Sequence, residues 1–151
     1  MRAVIQRVKA AHVVADGVET GRIGAGLLVF VGVETGDTVD DGNWLADKVV
    51  QLRVFEDSEG KMNRNLTAIG GEVLVISQFT LLGHLKKGTR PSFNRAAAPA
   101  EAVPLYEAFC GRLETLMGKP VATGVFGADM AIPADNDGPV TLILDSRRRD
   151  W

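Results

Sequence analysis

Three hydrogen-bonding side chains interrupt an otherwise apolar segment near the middle of the chain. The segment EVLVISQFTLL opens with the continuous apolar run Val73–Ile76, which is typical of a strand buried on both faces. Ser77, Gln78 and Thr80 follow before leucines resume. If strand alternation continues, Phe79 shares a face with Ser77, and the other two polar residues share the opposite face. Such a segment either emerges into solvent at a sheet edge or lines a pocket beside a loop.

A second segment, NDGPVTLIL over residues 136–144, combines turn residues with an apolar strand pattern. Proline has no N–H to donate to a sheet ladder, so it belongs at the start or the edge of a strand. Gly138 has no Cβ, so it can adopt a backbone geometry that would be crowded for other residues. The peptide bond before Pro139 is of the type that can be cis. On spacing alone, a plain turn over residues 136–138 before the last strand is the simpler interpretation.

Side chains that commonly carry catalysis are scarce in this chain. It has two histidines, His12 and His84, and one cysteine, Cys110, and none of them has metal-ligand spacing. It has no phosphate-binding glycine loop, no dinucleotide-binding fingerprint and no nucleophile elbow. Cys110 follows Phe109 within a predicted helix, so we expect a buried, unreactive thiol. We therefore expect no metal and no other cofactor, and any enzyme here would lack an obvious side-chain acid or base.

Composition predicts one globular domain in a reducing compartment. The chain has 151 residues, of which 46% are hydrophobic and 24% charged. A single cysteine excludes an internal disulfide and fits a cytoplasmic protein. No apolar run approaches the roughly 18 residues of a membrane span, and a net charge of −2 argues against DNA or a broad RNA surface as a partner. The basic residues Lys86, Lys87 and Arg90 leave room for a small contact with one end of an RNA.

The strands that must position these residues are indicated by alternation and by apolar runs. The segment RAVIQRVKAAHVV alternates, and Asp16-Gly17 supplies a hairpin turn before a second strand. Residues 26–33 form an apolar run that predicts a central strand. The segment VATGVFGADMAI is expected to be extended, and NRNLTAIGG to be an irregular connection.

Helical spacing predicts two helices. The first covers about residues 39–52, with Thr38 and Asp41 placed as a capping box. The second begins at Pro99 and ends at Gly118. We predict a single α/β domain over residues 1–151, with two largely antiparallel sheets covered by two helices in three layers. Residues 146–151, SRRRDW, are expected to form a terminal tail.

Taken together, the two unusual segments resemble the signature motifs of the D-aminoacyl-tRNA deacylase family. These motifs are SQFTL at residues 77–81 and NDGPVT at residues 136–141. The resemblance extends over nearly the whole chain, through MRAVIQRV, GLLVFVGVE, LRVFEDSEGKMN, KGTRPSF and FGADM. The chain differs from the usual family pattern at Leu82-Gly83-His84, on the expected pocket rim, and at Pro133.

The resemblance implies an editing hydrolase. The family cleaves the ester that joins a D-amino acid, or glycine mischarged on tRNA-Ala, to the 3′-terminal adenosine of tRNA, and it rejects L-aminoacyl-tRNA. It also implies a cytoplasmic homodimer whose active site lies near the subunit interface. A further implication is a catalytic pocket for the ester and the ribose, formed by Ser77, Gln78, Phe79 and Thr80. Gly138 and Pro139, joined by a cis bond, would enter the partner's pocket as a chiral gate.

The same resemblance implies roles for residues outside the two motifs. Phe126 and Met130 would pack against the terminal adenine, although two ordinary core residues would show the same pattern. Arg7 would support the glycine–proline segment, whereas an exposed strand arginine is the simpler interpretation. A final group, Lys86, Lys87 and Arg90, would contact phosphates of the acceptor end.

An aminoacyl ester is already activated, so its hydrolysis needs a positioned water and stabilisation of the oxyanion. Main-chain N–H groups around Phe79 and Thr80 would supply that stabilisation, assisted by the ribose 2′-hydroxyl of the tRNA. Thr80 as a nucleophile is the competing mechanism, but no base is evident to activate it. Three other functions stay open: a related deacylase with a trans glycine–proline gate, a non-catalytic module that binds the tRNA 3′ end, and a structural dimer.

Overall fold

The sheet is organised around strand β1 (Arg2–Ala15), in a computed structural model that describes residues 1–150. The other strands, in chain order, are β2 (Val18–Ile23), β3 (Gly26–Gly32), β4 (Phe55–Glu56), β5 (Met62–Arg64), β6 (Glu72–Ser77), β7 (Ala122–Thr123), β8 (Met130–Ala131) and β9 (Ala134–Asp145). The helices are α1 (Val39–Gln51), α2 (Leu66–Ile69) and α3 (Pro99–Met117), and a 3-10 turn covers Phe79–Leu82.

Strand β1 is hydrogen-bonded along both edges. Strands β2 and β3 pair antiparallel with one edge, and β8 and β9 pair antiparallel with the other. Strand β6 joins parallel to β3, and β7 joins parallel to β6, which completes a seven-stranded sheet. Strands β4 and β5 form a separate two-stranded ribbon. The predicted α/β domain is confirmed, and the parallel pairs and the small ribbon are details added to the predicted antiparallel sheets.

Local turn and capping signals determine where the main elements begin and end. Asp16 and Gly17 adopt positive φ angles of 48° and 82°, as a tight hairpin requires, and connect β1 to β2. The Thr38 N–H donates to the Asp41 carboxylate at 2.8 Å, so the predicted capping box starts α1. Gly118, with a φ of 69°, ends α3 one residue after its last helical position.

Strands β3 and β6 are buried on both faces, as their continuous apolar runs predicted. Odd-numbered side chains such as Val29 and Val75 pack into one cluster with residues of α1 and α3, including Leu45 and Phe109. Even-numbered side chains such as Leu74 pack into a second cluster with residues of β1 and β2. The C-terminal end of β6 is therefore held from both sides at the point where the polar segment begins.

The prediction of a turn at residues 136–138 is wrong, because these residues lie inside β9. Asn136 pairs with Val8 of β1, and the register shifts on both sides of Val8. The irregular pairing accommodates turn-forming residues without ending the strand. Residues 122–131 also differ from the extended segment predicted for them, since they form two short strands joined by a turn.

The connection predicted to be irregular contains β5 and the short helix α2. The Asn65 side chain accepts a hydrogen bond from the Ala68 N–H at 2.9 Å, and Gly70 ends the helix in a left-handed conformation. Both are ordinary capping signals, but four residues are too few to show helical periodicity in the sequence. Within residues 1–150 no helix is both long and apolar enough to cross a membrane.

Residues 146–150, the described part of the predicted tail, lie against the domain. Ser146 is buried and donates its N–H to the carbonyl of the first residue at 2.9 Å. Arg147 donates from Nε to the buried Asp37 carboxylate at 3.0 Å. Trp151 lies outside the described residues.

We expect two glycine substitutions to have opposite effects on stability. A Cβ at Gly26 would lie 1.9 Å from the Glu72 backbone oxygen, so Gly26→Ala should separate β3 from β6 and lower the free energy of unfolding by about 1–3 kcal/mol or more. A Cβ at Gly111, within α3, would meet nothing within 4 Å. Gly111→Ala should raise the free energy of unfolding by about 0.5–1 kcal/mol.

Urea denaturation of both variants and of the wild type measures these differences. A Gly26→Ala variant as stable as the wild type would contradict the close parallel pairing of β3 and β6.

Candidate active site

The polar residues after β6 lie in a tight turn rather than in a continued strand. Gln78 donates its N–H to the Val31 carbonyl at 2.8 Å, and Leu81 donates its N–H back to the Gln78 carbonyl at 3.2 Å. Strand alternation therefore stops at Ser77, and the predicted sharing of faces beyond it is wrong. The turn forms because residues from 79 onward have no strand partner and close 3-10 hydrogen bonds instead.

Two main-chain N–H groups in this turn are free to bind a ligand. Neither the Phe79 N–H nor the Thr80 N–H donates to any acceptor within residues 1–150. They are consecutive and stand at the start of the 3-10 turn, where no preceding carbonyl of the turn can reach them. Two adjacent free N–H groups are the arrangement that stabilises a developing oxyanion.

The side chain of Thr80 has no base beside it in the described part of the chain. Its hydroxyl accepts a hydrogen bond from the Gln78 side-chain amide. A carboxamide does not take up a proton at neutral pH, so this contact orients the hydroxyl without activating it. Phe79 is 56% exposed, and its ring packs edge-on against Phe93 with ring centroids 5.2 Å apart.

A cavity of about 290 Å³ opens beside this turn. Its walls come from the ends of β3 and β6, from α3 and from the segment between β7 and β9. Five of the predicted site residues line it: Ser77, Gln78, Phe79, Phe126 and Met130. Thr80, Arg7, Gly138 and Pro139 are not part of its lining in this protomer.

Tyr106 and Asp129 also line the cavity, and the sequence analysis missed both. Helical spacing on α3 indicates that Tyr106 faces the core, but only its contact with β6 brings it to the cavity. The Tyr106 hydroxyl donates to the Val75 carbonyl at 3.2 Å, and its ring stacks edge-on against Phe126 at 5.9 Å. Burial raises the pKa of Tyr106, so the phenol stays protonated and serves as a wall and a donor.

Cys110 is buried, as predicted. Burial raises the pKa of its thiol to about 11, so the nucleophilic thiolate is scarce at neutral pH. Within residues 1–150, no three side chains of the His, Cys, Asp and Glu types come together in a way that could hold a metal ion. The polar side chains that line the cavity are those of Ser77, Gln78, Tyr106 and Asp129.

Arg7 lies beside the glycine–proline segment, and its side chain is only 7% exposed. It donates from Nε to the Asp137 carbonyl at 3.0 Å and from Nη1 to the Val54 carbonyl at 2.6 Å. The interpretation as an exposed strand arginine is therefore wrong. A Cβ at position 138 would lie 3.0 Å from Arg7 Nη2, so a glycine leaves room for the guanidinium there. A buried arginine that joins two carbonyls restricts the backbone on both sides.

Gly138 and Pro139 are exposed on β9, and the peptide bond between them is cis, the isomer that the resemblance implies. Among the described residues, β9 pairs only with β1, so its outer edge is open. The same strand exposes Leu142 and Ile143. The segment is therefore available to a second molecule, while its own protomer's cavity is lined by other residues.

The basic residues Lys86, Lys87 and Arg90 are exposed in the loop that follows the 3-10 turn. Two backbone hydrogen bonds between His84 and Ser92, of 3.0 and 2.9 Å, close the base of this loop. The loop therefore presents positive charge to solvent, and these three residues do not contribute to the cavity walls.

The chain is similar in sequence to known proteins over nearly its whole length. The family described as D-Tyr-tRNA(Tyr) deacylase matches residues 4–145. A D-aminoacyl-tRNA deacylase of Opitutus terrae is 56% identical over 99% of this chain and 100% of its own length. The protein of the same name from Parabacteroides distasonis is 52% identical over the same shares of both chains.

Two solved structures are similar in fold. One, described as a c-Myc DNA unwinding element binding protein, has a TM-score of 0.89 at 36% identity and covers 96% of this chain and 98% of its own. The other, described as a probable eukaryotic D-amino acid tRNA deacylase, has a TM-score of 0.81 at 19% identity and covers 95% and 97%. The second is evidence for the fold alone.

Proposed function

The chain belongs to the D-aminoacyl-tRNA deacylase family, and we propose that it hydrolyses the ester of D-aminoacyl-tRNA to free D-amino acid and tRNA. The observation that carries this proposal is the pair of free N–H groups of Phe79, which lines the cavity, and of Thr80, the next residue in the turn. An ester carbonyl that accepts from both would be polarised toward attack by water. The developing oxyanion would then be stabilised where it forms.

The cavity supports binding of the terminal nucleoside. Phe126, Met130 and Tyr106 offer aromatic and soft apolar surface to the face of an adenine, while Asp129 offers polar atoms to its edge. Seated there, the base would bring its ribose and the 3′-ester toward Ser77 and the 3-10 turn. The resulting contact is small, which suits a chain with a net charge of −2.

We propose that the tRNA itself assists the reaction. Water attacks the ester carbonyl, the bond to the ribose 3′-oxygen breaks, and a proton passes from the attacking water to the 3′-oxygen, which leaves as the hydroxyl. The neighbouring 2′-hydroxyl is the group closest to the reacting atoms that can relay this proton. Thr80 has less support as a nucleophile, because its only side-chain partner among the described residues is the Gln78 amide.

Gly138 and Pro139 are proposed to act as a chiral gate in the partner's cavity. A main-chain obstacle rejects by shape alone, so it would exclude any L side chain and admit any D side chain. Glycine has no side chain to exclude, so glycyl-tRNA, including glycine mischarged on tRNA-Ala, is a proposed second substrate.

The gate requires a homodimer, which is also part of the proposal. Supporting observations are the open outer edge of β9, its exposed Leu142 and Ile143, and the exposure of Pro139. An apolar strand edge left in solvent is prone to pairing with another chain. A second copy would cover this edge and bring each gate to the other protomer.

The loop with Lys86, Lys87 and Arg90 is proposed to contact phosphates of the tRNA acceptor end. The proposed site of action is the cytoplasm, where aminoacyl-tRNA is used. The related deacylase with a trans glycine–proline gate differs from this chain, whose Gly138–Pro139 bond is cis. Two alternatives remain: a module that binds the tRNA end without chemistry, and a structural dimer. DNA binding, which the name of one structural neighbour suggests, has less support because the net charge is −2.

The proposed function is tested by following ester loss from D-Tyr-tRNA and L-Tyr-tRNA. We expect the D ester to be hydrolysed with multiple turnovers and the L ester to decay at its uncatalysed rate. Tight binding of both tRNAs without ester loss would instead indicate a binding module. Inactivity on both, with no binding, would leave only the structural dimer.

A second experiment separates assistance by the tRNA from catalysis by Thr80. Thr80→Ala should retain activity within about tenfold, because the main-chain N–H groups are unchanged. A tRNA that ends in 2′-deoxyadenosine, with the D-amino acid on the 3′-oxygen, should lose about 10²-fold or more, the usual size of a proton-transfer contribution. Thr80→Ser serves as the matched control. An inactive Thr80→Ala variant, together with normal turnover of the deoxy substrate, would establish the threonine mechanism instead.

The gate is tested at Arg7, which contacts the backbone next to it. Arg7→Lys keeps the charge, but a single ammonium cannot reproduce the planar fork that joins the Asp137 and Val54 carbonyls. We expect the ratio of D-Tyr-tRNA to L-Tyr-tRNA hydrolysis to fall by about tenfold or more. Arg22→Lys, at an exposed ion pair on β2, is the matched control.

Sedimentation equilibrium would check that the Arg7→Lys variant keeps the oligomeric state of the wild type. An unchanged D-to-L ratio in a folded variant would remove the support of Arg7 for the gate.

A further inference from the structure

The 3-10 turn that presents the two free N–H groups is only partly buried. It is four residues long, and only Leu82 is buried among them. On one side it lies close to β3, where a Cβ at Gly32 would come within 2.8 Å of the Gln78 carbonyl oxygen. On another side Phe79 packs against Phe93. The Gly83 N–H also donates to the Thr80 carbonyl at 3.0 Å. None of these contacts holds the Leu81 carbonyl.

Arg2 provides that missing contact. Its Nη1 donates to the Leu81 carbonyl at 2.7 Å, across 79 residues of sequence. The same guanidinium donates from Nε and Nη2 to the Asp145 carboxylate at 3.2 and 3.0 Å. Two nitrogens of the planar guanidinium therefore bind the carboxylate, and the third donates to a carbonyl of the turn.

Asp145 is suited to anchor Arg2. It lies opposite Arg2 in the pairing of β1 with β9, and it is only 5% exposed. Burial alone would raise the pKa of Asp145, but hydrogen bonds from the Arg147 N–H and the Arg2 side chain lower it overall. The carboxylate is therefore charged at neutral pH, and the guanidinium has a fixed counter-charge.

We propose that Arg2 is a positioning residue of the active site, and that its guanidinium, anchored on Asp145, holds the Leu81 carbonyl and so aims the Phe79 and Thr80 N–H groups. Arg2 is not among the residues that line the cavity. In a turn of four residues, fixing a carbonyl at one end restricts the direction of the N–H groups at the other. This inference rests on the proposed function, because it assumes that those N–H groups bind the ester carbonyl.

The test compares Arg2→Ala and Arg2→Lys with the control Arg22→Ala, which removes an exposed arginine paired with Glu19. On D-Tyr-tRNA, kcat of Arg2→Ala should fall about 10- to 100-fold, as expected when catalytic groups are displaced by about 1 Å. KM should change less than about threefold, because the adenine surface is untouched. The kcat of Arg2→Lys should lie between those of Arg2→Ala and the wild type, because lysine keeps the positive charge but lacks the planar guanidinium.

Chemical rescue distinguishes positioning from a general loss of stability. The Arg2 side chain is 28% exposed, so guanidinium ion at millimolar concentration should reach the vacated site and restore part of the kcat of Arg2→Ala. The same concentration should leave Arg22→Ala unchanged, and sodium chloride at equal ionic strength should rescue neither.

The proposal is overturned if kcat of Arg2→Ala equals that of the wild type. It is also overturned if the loss matches the unfolded fraction seen by circular dichroism and guanidinium restores nothing. A wild-type protein that is inactive on D-Tyr-tRNA in the same assay would refute the proposed function itself, so the two failures are distinguishable.

Discussion

Backbone pairing along both edges of β1 holds the 3-10 turn and the glycine–proline segment of one protomer in a fixed relation. On one edge, β3 carries β6 and, at its end, the turn with the free N–H groups. On the other edge, β9 carries Gly138 and Pro139. Strand β1 also contributes the two arginines that reach these parts, Arg2 to the Leu81 carbonyl and Arg7 to the Asp137 carbonyl. A shift of β1 would therefore disturb both functional segments together.

The chemistry of the proposed site depends on main-chain geometry more than on titrating side chains. Phe79, which lines the cavity, and Thr80 after it have N–H groups without an acceptor among the described residues, and burial keeps the Tyr106 phenol and the Cys110 thiol protonated. Such a site is sufficient for a substrate that is already activated, since an aminoacyl ester needs a positioned water and oxyanion stabilisation rather than a strong nucleophile. The proposed gate follows the same logic, because a backbone obstacle discriminates handedness without recognising a particular side chain.

Fixed main-chain groups need rigid support, and buried polar contacts provide it. The Arg7 guanidinium donates hydrogen bonds to two backbone carbonyls, those of Val54 and Asp137, which lie in separate parts of the chain. Arg147 similarly joins the C-terminal residues to Asp37, beside the start of α1. Charged donors on backbone carbonyls give shorter and stronger hydrogen bonds than neutral ones. They therefore hold irregular segments that a regular sheet ladder does not reach.

The sequence by itself determined the α/β class, the long helices and the buried strands, because apolar periodicity and capping residues act locally. The limits of α1 and α3, the hairpin at Asp16-Gly17 and the burial of Cys110 all follow from such signals. The two motifs were recognised through a family resemblance. Only the tertiary structure decided that the strand ends at Ser77, that residues 136–138 continue β9, and that Arg2 meets Leu81. The reason is physical: these features depend on partners far apart in the chain, and local preferences carry no information about which partners meet.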